Sequence, residues 1–380
     1  MNDRLPRLTP LVVLLAAAAL VALRVRSGAA HAPEAAAREL AERTTASEPP
    51  PAPAIEDPPS DSTSVGDKLL LQAATMLERR ASVSARLRHQ VFIGEKQLYG
   101  VGSYWQQGSG ADLRVRLELQ IAGQDASLLQ ISNSRFLWID RRLPTGRNVS
   151  RIDLRQLRAD PVLSATSSDE LEPGTATWSA VQPDLIAHSG GLPSLLASLG
   201  DNFSLLPPQA MRLAAQASPE SQSASVPVFA VVGHWKYEKL VELLAHRRET
   251  RIESQSPDSL DAYLSTLNSL PNRLPQEVLL LVGQADLFPY RIEYRRLETP
   301  LAARRESAPI PYQLSPNPLV VLELTDVAFD TPIAAGQFDY APGDADWIDQ
   351  TAALLERLRR EHEEQLAVRA RNDRHLIPVR

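Results

Sequence analysis

The segment Leu319–Asp349, LVVLELTDVAFDTPIAAGQFDYAPGDADWID, is where the chain commits to an architecture. Val320, Leu322 and Leu324 alternate with Val321, Glu323 and Thr325, the period-2 pattern of a half-buried strand. Val327 and Phe329 carry the apolar character to Asp330. Thr331-Pro332 and Gly336 break it, since proline lacks a backbone donor and glycine permits a turn. Phe338 and Tyr340 resume the alternation, Pro342-Gly343-Asp344 predicts a turn, and Asp344 or Asp346 is placed to cap a helix starting near Trp347. A strand, a short return with two aromatics, a turn and a helix make a closing piece for a sheet.

On the N-terminal side of this segment the same period recurs. In Asp112–Ile121, Leu113, Val115, Leu117, Leu119 and Ile121 oppose Arg114, Arg116, Glu118 and Gln120, so one face is buried and one is wet, as in an antiparallel sheet covered on one side. Tyr290, Ile292 and Tyr294 alternate with Arg291, Glu293 and Arg295 in the same way. Further strands are predicted at Arg88–Ile93, Gln97–Gln106, Ala126–Ser132, Arg135–Asp140, Val226–Trp235 and Glu277–Val282. Helical spacing marks Asp67–Arg80, Leu192–Leu199, Pro208–Ala217, Lys236–His246, Leu260–Leu270 and the long charged stretch Trp347–Arg371. The middle, 141–225, is the least regular part.

In this order of elements, and in the run of an aspartate-containing strand, Gly336-x-Phe338-x-Tyr340-x-Pro342, an acidic turn and Trp347-Ile348-Asp349, the chain resembles the LolA-like family of periplasmic lipoprotein carriers. Leu69–Asp140 and Val226–Asp349 carry the resemblance, whereas 141–225 reads as an insertion that does not align. The resemblance implies an α+β fold, a curved antiparallel half-barrel whose concave face is covered by helices and binds acyl chains. It also gives Gly336, Phe338, Tyr340, Pro342 and Trp347 a structural role in closing the sheet. No catalytic residue is carried over.

At 380 residues, 43% hydrophobic and 23% charged, the chain has the composition of a globular protein with ample core. A net charge of −6 gives no general attraction to nucleic acid. Cysteine is absent, which removes disulfides, thiolate chemistry, cysteine-ligated metals and a lipid-modified cysteine. Arg4 and Arg7 precede an apolar run at 8–23, about 24 Å as a helix against the roughly 30 Å hydrocarbon core. That length, with Ala30-His31-Ala32 behind it, fits a signal peptide over 1–32; Arg24 and Arg26 fit a retained inner-membrane anchor instead. Both readings export the body of the chain to the periplasm. Residues 33–66, rich in alanine and proline, read as a tether, 67–349 as the half-barrel domain, and 350–380 as a charged helix and tail.

Chemistry-bearing constellations are scarce. The seven histidines have no metal spacing, and Glu361-His362-Glu363-Glu364 reads as a solvated helix face. His188-Ser189-Gly190-Gly191 lacks the nucleophile elbow of a serine hydrolase. Gly100-Val101-Gly102 lacks the third glycine of a dinucleotide loop and reads as a bulge or close packing. Arg135, Arg141, Arg142, Arg147, Arg151, Arg155 and Arg158 form a basic stretch able to meet anionic headgroups or to remain solvated. Trp138, Trp235 and Trp347 read as core aromatics.

The expectation is therefore a non-enzymatic carrier or sensor without cofactor or metal, whose partners are acyl chains of a lipid or lipoprotein and the membrane at its N-terminal segment. Leu113, Val115, Leu117, Leu119, Ile121, Tyr290, Ile292, Tyr294, Val320, Leu322 and Leu324 should line the inner face, and Leu192, Leu195, Leu196, Leu240 and Leu244 the lid. A regulatory module binding another envelope protein on the same scaffold is the alternative. A cryptic enzyme, and a sheet wholly filled by its own helices, also stand open.

Overall fold

The computed structural model describes residues 64–93, 96–160, 190–213, 225–245, 267, 270, 274–296, 318–360 and 363. The predicted leader, the tether as far as residue 63, the Leu260–Leu270 helix (apart from Leu267 and Leu270) and, apart from residue 363, the chain beyond residue 360 lie outside them. Among the described residues no helix is long and apolar enough to cross a membrane.

The chain enters through helix α1 (Val65–Arg79), capped by Ser64, whose hydroxyl accepts the Asp67 N–H. The helix thus starts two residues ahead of the predicted Asp67. Leu69, Leu70, Ala73, Ala74 and Leu77 are buried along one stripe. Six antiparallel strands follow as a meander: β1 (Ser82–Ile93), β2 (Lys96–Gln107), β3 (Arg114–Ile121), β4 (Ser127–Asn133), β5 (Phe136–Leu143) and β6 (Gly146–Asp153). Strand β1 starts six residues before the predicted Arg88, because Val83, Ala85 and Leu87 extend the same alternation. The short helix α2 (Leu154–Arg158) is capped by the Asp153 carboxylate.

After α3 (Gly191–Asn202) come β7 (Phe203–Leu205), β8 (Gln209–Leu213), β9 (Val226–Trp235), helix α4 (Tyr237–Ala245), β10 (Glu277–Gly283), β11 (Pro289–Arg295), β12 (Pro318–Phe329) and β13 (Trp347–Asp349). The stretch read as a non-aligning insertion therefore contributes β6, β7 and β8 to the sheet and α3 to its cover. The helix expected over Pro208–Ala217 is a strand in its described part: Gln209–Leu213 pairs with β9, with Met211 and Leu213 against Val228 and Val226, and 214–217 lie outside the described residues. An alanine-rich composition favours a helix locally, but pairing with an apolar edge overrides so short a preference.

The strands form one open, curved, mostly antiparallel sheet in the order β13-β6-β5-β4-β3-β2-β1-β12-β11-β10-β9-β7, with β8 also on β9. With helices laid on one face, this is the expected α+β half-barrel. The strand of the opening segment, β12, is central, paired to β1 and β11. Beyond it the predicted return strand is absent. Ala335–Phe338 is a 3-10 turn, and the helix expected near Trp347 is replaced there by β13, which runs parallel to β6 at the sheet's far edge. Helix α5 (351–360) begins later, its first N–H bonded to the Asp349 carboxylate.

Candidate functional site

Register fixes which residues share a face, because directly opposed residues point the same way. On β1, Leu87 faces Gly102 and Leu324, and Val91 faces Leu98 and Val320. On β3, Val115, Leu117 and Leu119 face Gln106, Tyr104 and Gly102. On β11, Ile292 and Tyr294 face Leu322 and Val320. The three sets of alternating apolar residues read from the sequence thus meet on one side of the sheet, the side that carries α1, α3 and α4. Val115, Leu119, Ile292, Tyr294, Val320, Leu322 and Leu324 are buried in one continuous core, with Leu113, Leu117, Ile121 and Tyr290 packed at its margin.

Leu192, Leu195 and Leu196 of α3 and Leu240 of α4 are buried in that core; Leu244 lies in α4, its side chain outside the described residues. The helices are seated rather than raised. Leu196 and Leu240 are 0% exposed, so an acyl chain entering here has to displace leucine side chains already in place.

Two polar features interrupt this apolar surface, and neither is evident from the periodicity. The first is a latch. Tyr104 donates its hydroxyl hydrogen to Gln106 Oε1 at 2.6 Å and accepts the Leu192 N–H at 2.9 Å, while Gln106 Nε2 donates to the Leu77 carbonyl at 3.2 Å. One buried side-chain pair on β2 thereby holds the first turn of α3 and the last turn of α1. A Cβ at Gly191 (φ +62°) would collide with the Tyr104 hydroxyl, so glycine there lets α3 close onto the latch. Burial pushes the Tyr104 phenol well above its ordinary range. The second is His89, which projects between Gly100 and Leu322 at 2% exposure, its Nε2 without a hydrogen-bond partner among the described residues. Burial pulls its pKa down to about 4, which keeps the ring neutral.

The ion pairs of β9 to β12 lie on the opposite face. Arg291 bridges Glu293 and Glu323, Arg295 Nε donates to Glu293 Oε2 at 2.7 Å, Arg295 lies 3.6 Å from Glu277, and His234 Nε2 is 3.4 Å from Glu277. Glu277, Glu293, Arg295 and Glu323 are all buried, and such groups are tolerated only when paired.

The closing segment also crosses this opposite face. Phe338 is buried, Tyr340 donates to Asp140 Oδ2 at 3.0 Å, and Arg147 grips Asp140 through Nη2 at 2.8 Å. Pro342 is half-buried ahead of the turn at Gly343 (φ +64°). Gly336 has room for a side chain, so nothing in its surroundings demands glycine. Trp138 and Trp235 are core residues as expected, but Trp347 is 40% exposed, its ring 5.5 Å from Trp138 and 4.3 Å from the Arg151 guanidinium carbon. It cannot bury fully because β13 is the terminal strand. Among the described residues, three of the seven arginines of the basic stretch are engaged by an oxygen acceptor: Arg147 with Asp140, Arg151 with Asp349, and Arg158 with the Ser134 carbonyl. Among the described residues no cluster of three histidines or carboxylates could hold a metal.

The sheet is thus a half-barrel whose helix-covered side is apolar from β3 to β9, while its other side carries the ion pairs, the closing segment and a smaller buried apolar cluster of Val228, Ala230, Val232, Leu279 and Leu281. Similar architectures occur among solved structures. An uncharacterized conserved protein from Thermus thermophilus matches at 11% identity and a TM-score of 0.35, over 74% of this chain and 97% of that one. An outer membrane lipoprotein-sorting protein domain from Vibrio parahaemolyticus matches at 10% and 0.27, over 72% and 96%. The Pseudomonas aeruginosa MucA/MucB complex matches at 9% and 0.33, over 72% and 60%. At such identities and TM-scores these likenesses carry no functional argument. No protein-family model and no curated protein matches the chain.

Proposed function

We propose that this chain is an exported, non-enzymatic carrier or sensor that takes up acyl chains of a lipid or lipoprotein between the half-barrel and its helices. The observation that carries this reading is the partition of the sheet. The helix-covered side is apolar from β3 across to β9, with His89 and the Tyr104–Gln106 pair as its polar interruptions, while the ion pairs of the sheet lie on the other side. An acyl chain sunk there gains about 0.8 kcal/mol per methylene, on the order of 10 kcal/mol for a long chain before ordering costs. Much of the cost of admitting it is the displacement of the leucines of α3 and α4, which the ligand's own methylenes replace like for like. Residues 8–23, with Arg4 and Arg7 before them, support export.

The test is organic extraction of natively purified protein followed by mass spectrometry, with uptake of a labelled fatty acid measured in parallel. Stoichiometric lipid, or saturable uptake weakened by Leu196→Asp, supports the reading. A clean extract together with no uptake overturns it.

A regulatory module that binds another envelope protein is the second reading. It is favoured by Trp347 and Ile348, 40% and 56% exposed on a terminal strand. Crosslinking in cells that captures one dominant protein partner, insensitive to lipid depletion, moves the assignment to it.

A further inference from the structure

The face of the sheet opposite α1, α3 and α4 holds a groove of about 740 Å³ over β12, β1, β2, β3 and β4. Its lining includes Arg88, Tyr99, Ser103, Gln120, Thr325 and Asp326. None of these belongs to the apolar side described above. By register, Tyr99, Val101 and Ser103 alternate with the inward Leu98, Gly100, Gly102 and Tyr104, so the groove and the lipid-facing side are back to back on the same strands. Gly102 lies in its floor, where a Cβ would drive into the Glu118 carbonyl oxygen, so glycine lets β2 and β3 approach this closely.

Four properties narrow the occupant. Polar surface outweighs apolar surface in the lining, so this is no second acyl site. The charged lining residues are Arg86, Arg88, Glu118 and Asp326, two of each sign, so neither a strongly anionic nor a strongly cationic ligand is favoured. The strands beneath are bonded on both sides, so no free backbone edge is on offer to an extended peptide. Finally, donors and acceptors are mixed. Arg86 pairs with Asp326 at 3.2 Å and Glu118 is held by Arg116, whereas among the described residues Arg88 has no ion-pair partner, and Tyr99 and Gln120 add a hydroxyl and an amide to the same lining.

We propose that this groove binds a neutral oligosaccharide, with Arg88, Gln120 and Asp326 bonding its hydroxyl or amide groups and the Tyr99 ring against a sugar face. The site is independent of acyl binding. A chain with both would hold a glycan and a lipid on opposite faces of one sheet.

The test is isothermal titration of the full chain, in a detergent without a sugar headgroup, with two probes: the β-1,4-linked trimer of N-acetylglucosamine and maltotriose. Saturable binding of either, weakened at least about tenfold by Arg88→Ala and by Gln120→Ala, is the expected result. A zwitterionic tetrapeptide is titrated alongside. Absence of sugar binding up to millimolar concentration, sugar binding that both variants leave unchanged, or tighter binding of the peptide overturns the proposal. Thermal unfolding of both variants separates loss of binding from loss of fold. Fatty-acid uptake is measured on the same samples, so this site and the acyl site fail or stand separately.

Discussion

The Tyr104 hydroxyl accepts the backbone N–H of Leu192 at 2.9 Å, and this single contact, buried beneath the helices, fastens the start of α3 to the second strand of the sheet. It uses one of the donors that a helix N-terminus always leaves unpaired. Since the same hydroxyl also donates to Gln106, which holds the end of α1, the two longer cover helices are tied to one point.

Tyr104→Phe removes that point and leaves the Leu192 N–H and the Gln106 Oε1 without their partner. Buried groups left unsatisfied cost roughly 1–3 kcal/mol, so the urea midpoint should fall by a corresponding amount. Hydrogen exchange should rise across Gly191–Asn202 more than in the strands. Equal protection in the variant and the parent would show that the contact does not hold α3.

His89 predicts a pH dependence. Its folded-state pKa of about 4 lies below the ordinary value of 6.5, so between these values the unfolded chain binds the proton and the folded chain does not. Stability from this group is therefore complete above pH 6.5 and declines as the pH falls towards 4, by on the order of 3 kcal/mol. His89→Leu keeps a similar volume, removes an unpaired polar atom and should flatten the decline. Chemical denaturation at about pH 7 and about pH 4.5 measures it; a decline of unchanged size in the variant rejects the assignment.

Gly102→Ala should destabilise the sheet by roughly 1–3 kcal/mol or prevent folding, because the obstructing atom is a backbone carbonyl that cannot swing aside. Gly336→Ala should be neutral, since open space surrounds that position. Thermal midpoints of the two variants give the comparison.

Asp140→Asn tests how the closing segment is held. Burial raises the Asp140 carboxyl pKa, but hydrogen bonds from Arg147 and Tyr340 outweigh it and leave the value below the usual carboxylate range. The stability it contributes is present above that range and is lost as the pH falls through the lowered pKa. Limited proteolysis near neutral pH should cut the variant faster between Thr331 and Ala345, while the parent resists. Identical cleavage would mean that Phe338 alone anchors the segment.

Much of this architecture is legible in the residues. Val320, Leu322 and Leu324, or Leu113 to Ile121, declare a face because side-chain period in a strand is 2 and one side must be apolar. The leucines of α3 likewise declare a stripe. The closing segment is less legible: Phe338 and Tyr340 alternate like a strand, yet one packs into a 3-10 turn and the other reaches across to Asp140. Alternation there reflects two separate docking contacts. Trp347 reads as core and is half-open because of its place at an edge, which no local pattern encodes.

The strands β1 to β5 and β9 to β12, their buried sides and the helices α1, α3 and α4 can be read from the residues alone, since each follows from the spacing of apolar groups along neighbouring positions, whereas β6, β7, β8 and β13 cannot. Folding in three dimensions was needed to put β12 at the centre and β13 at the rim, to bring Tyr104 to Leu192 across 88 positions, and to open a polar groove behind the apolar face. Those outcomes depend on pairings between residues far apart in the chain, and local periodicity carries no information about which distant partner a strand will take.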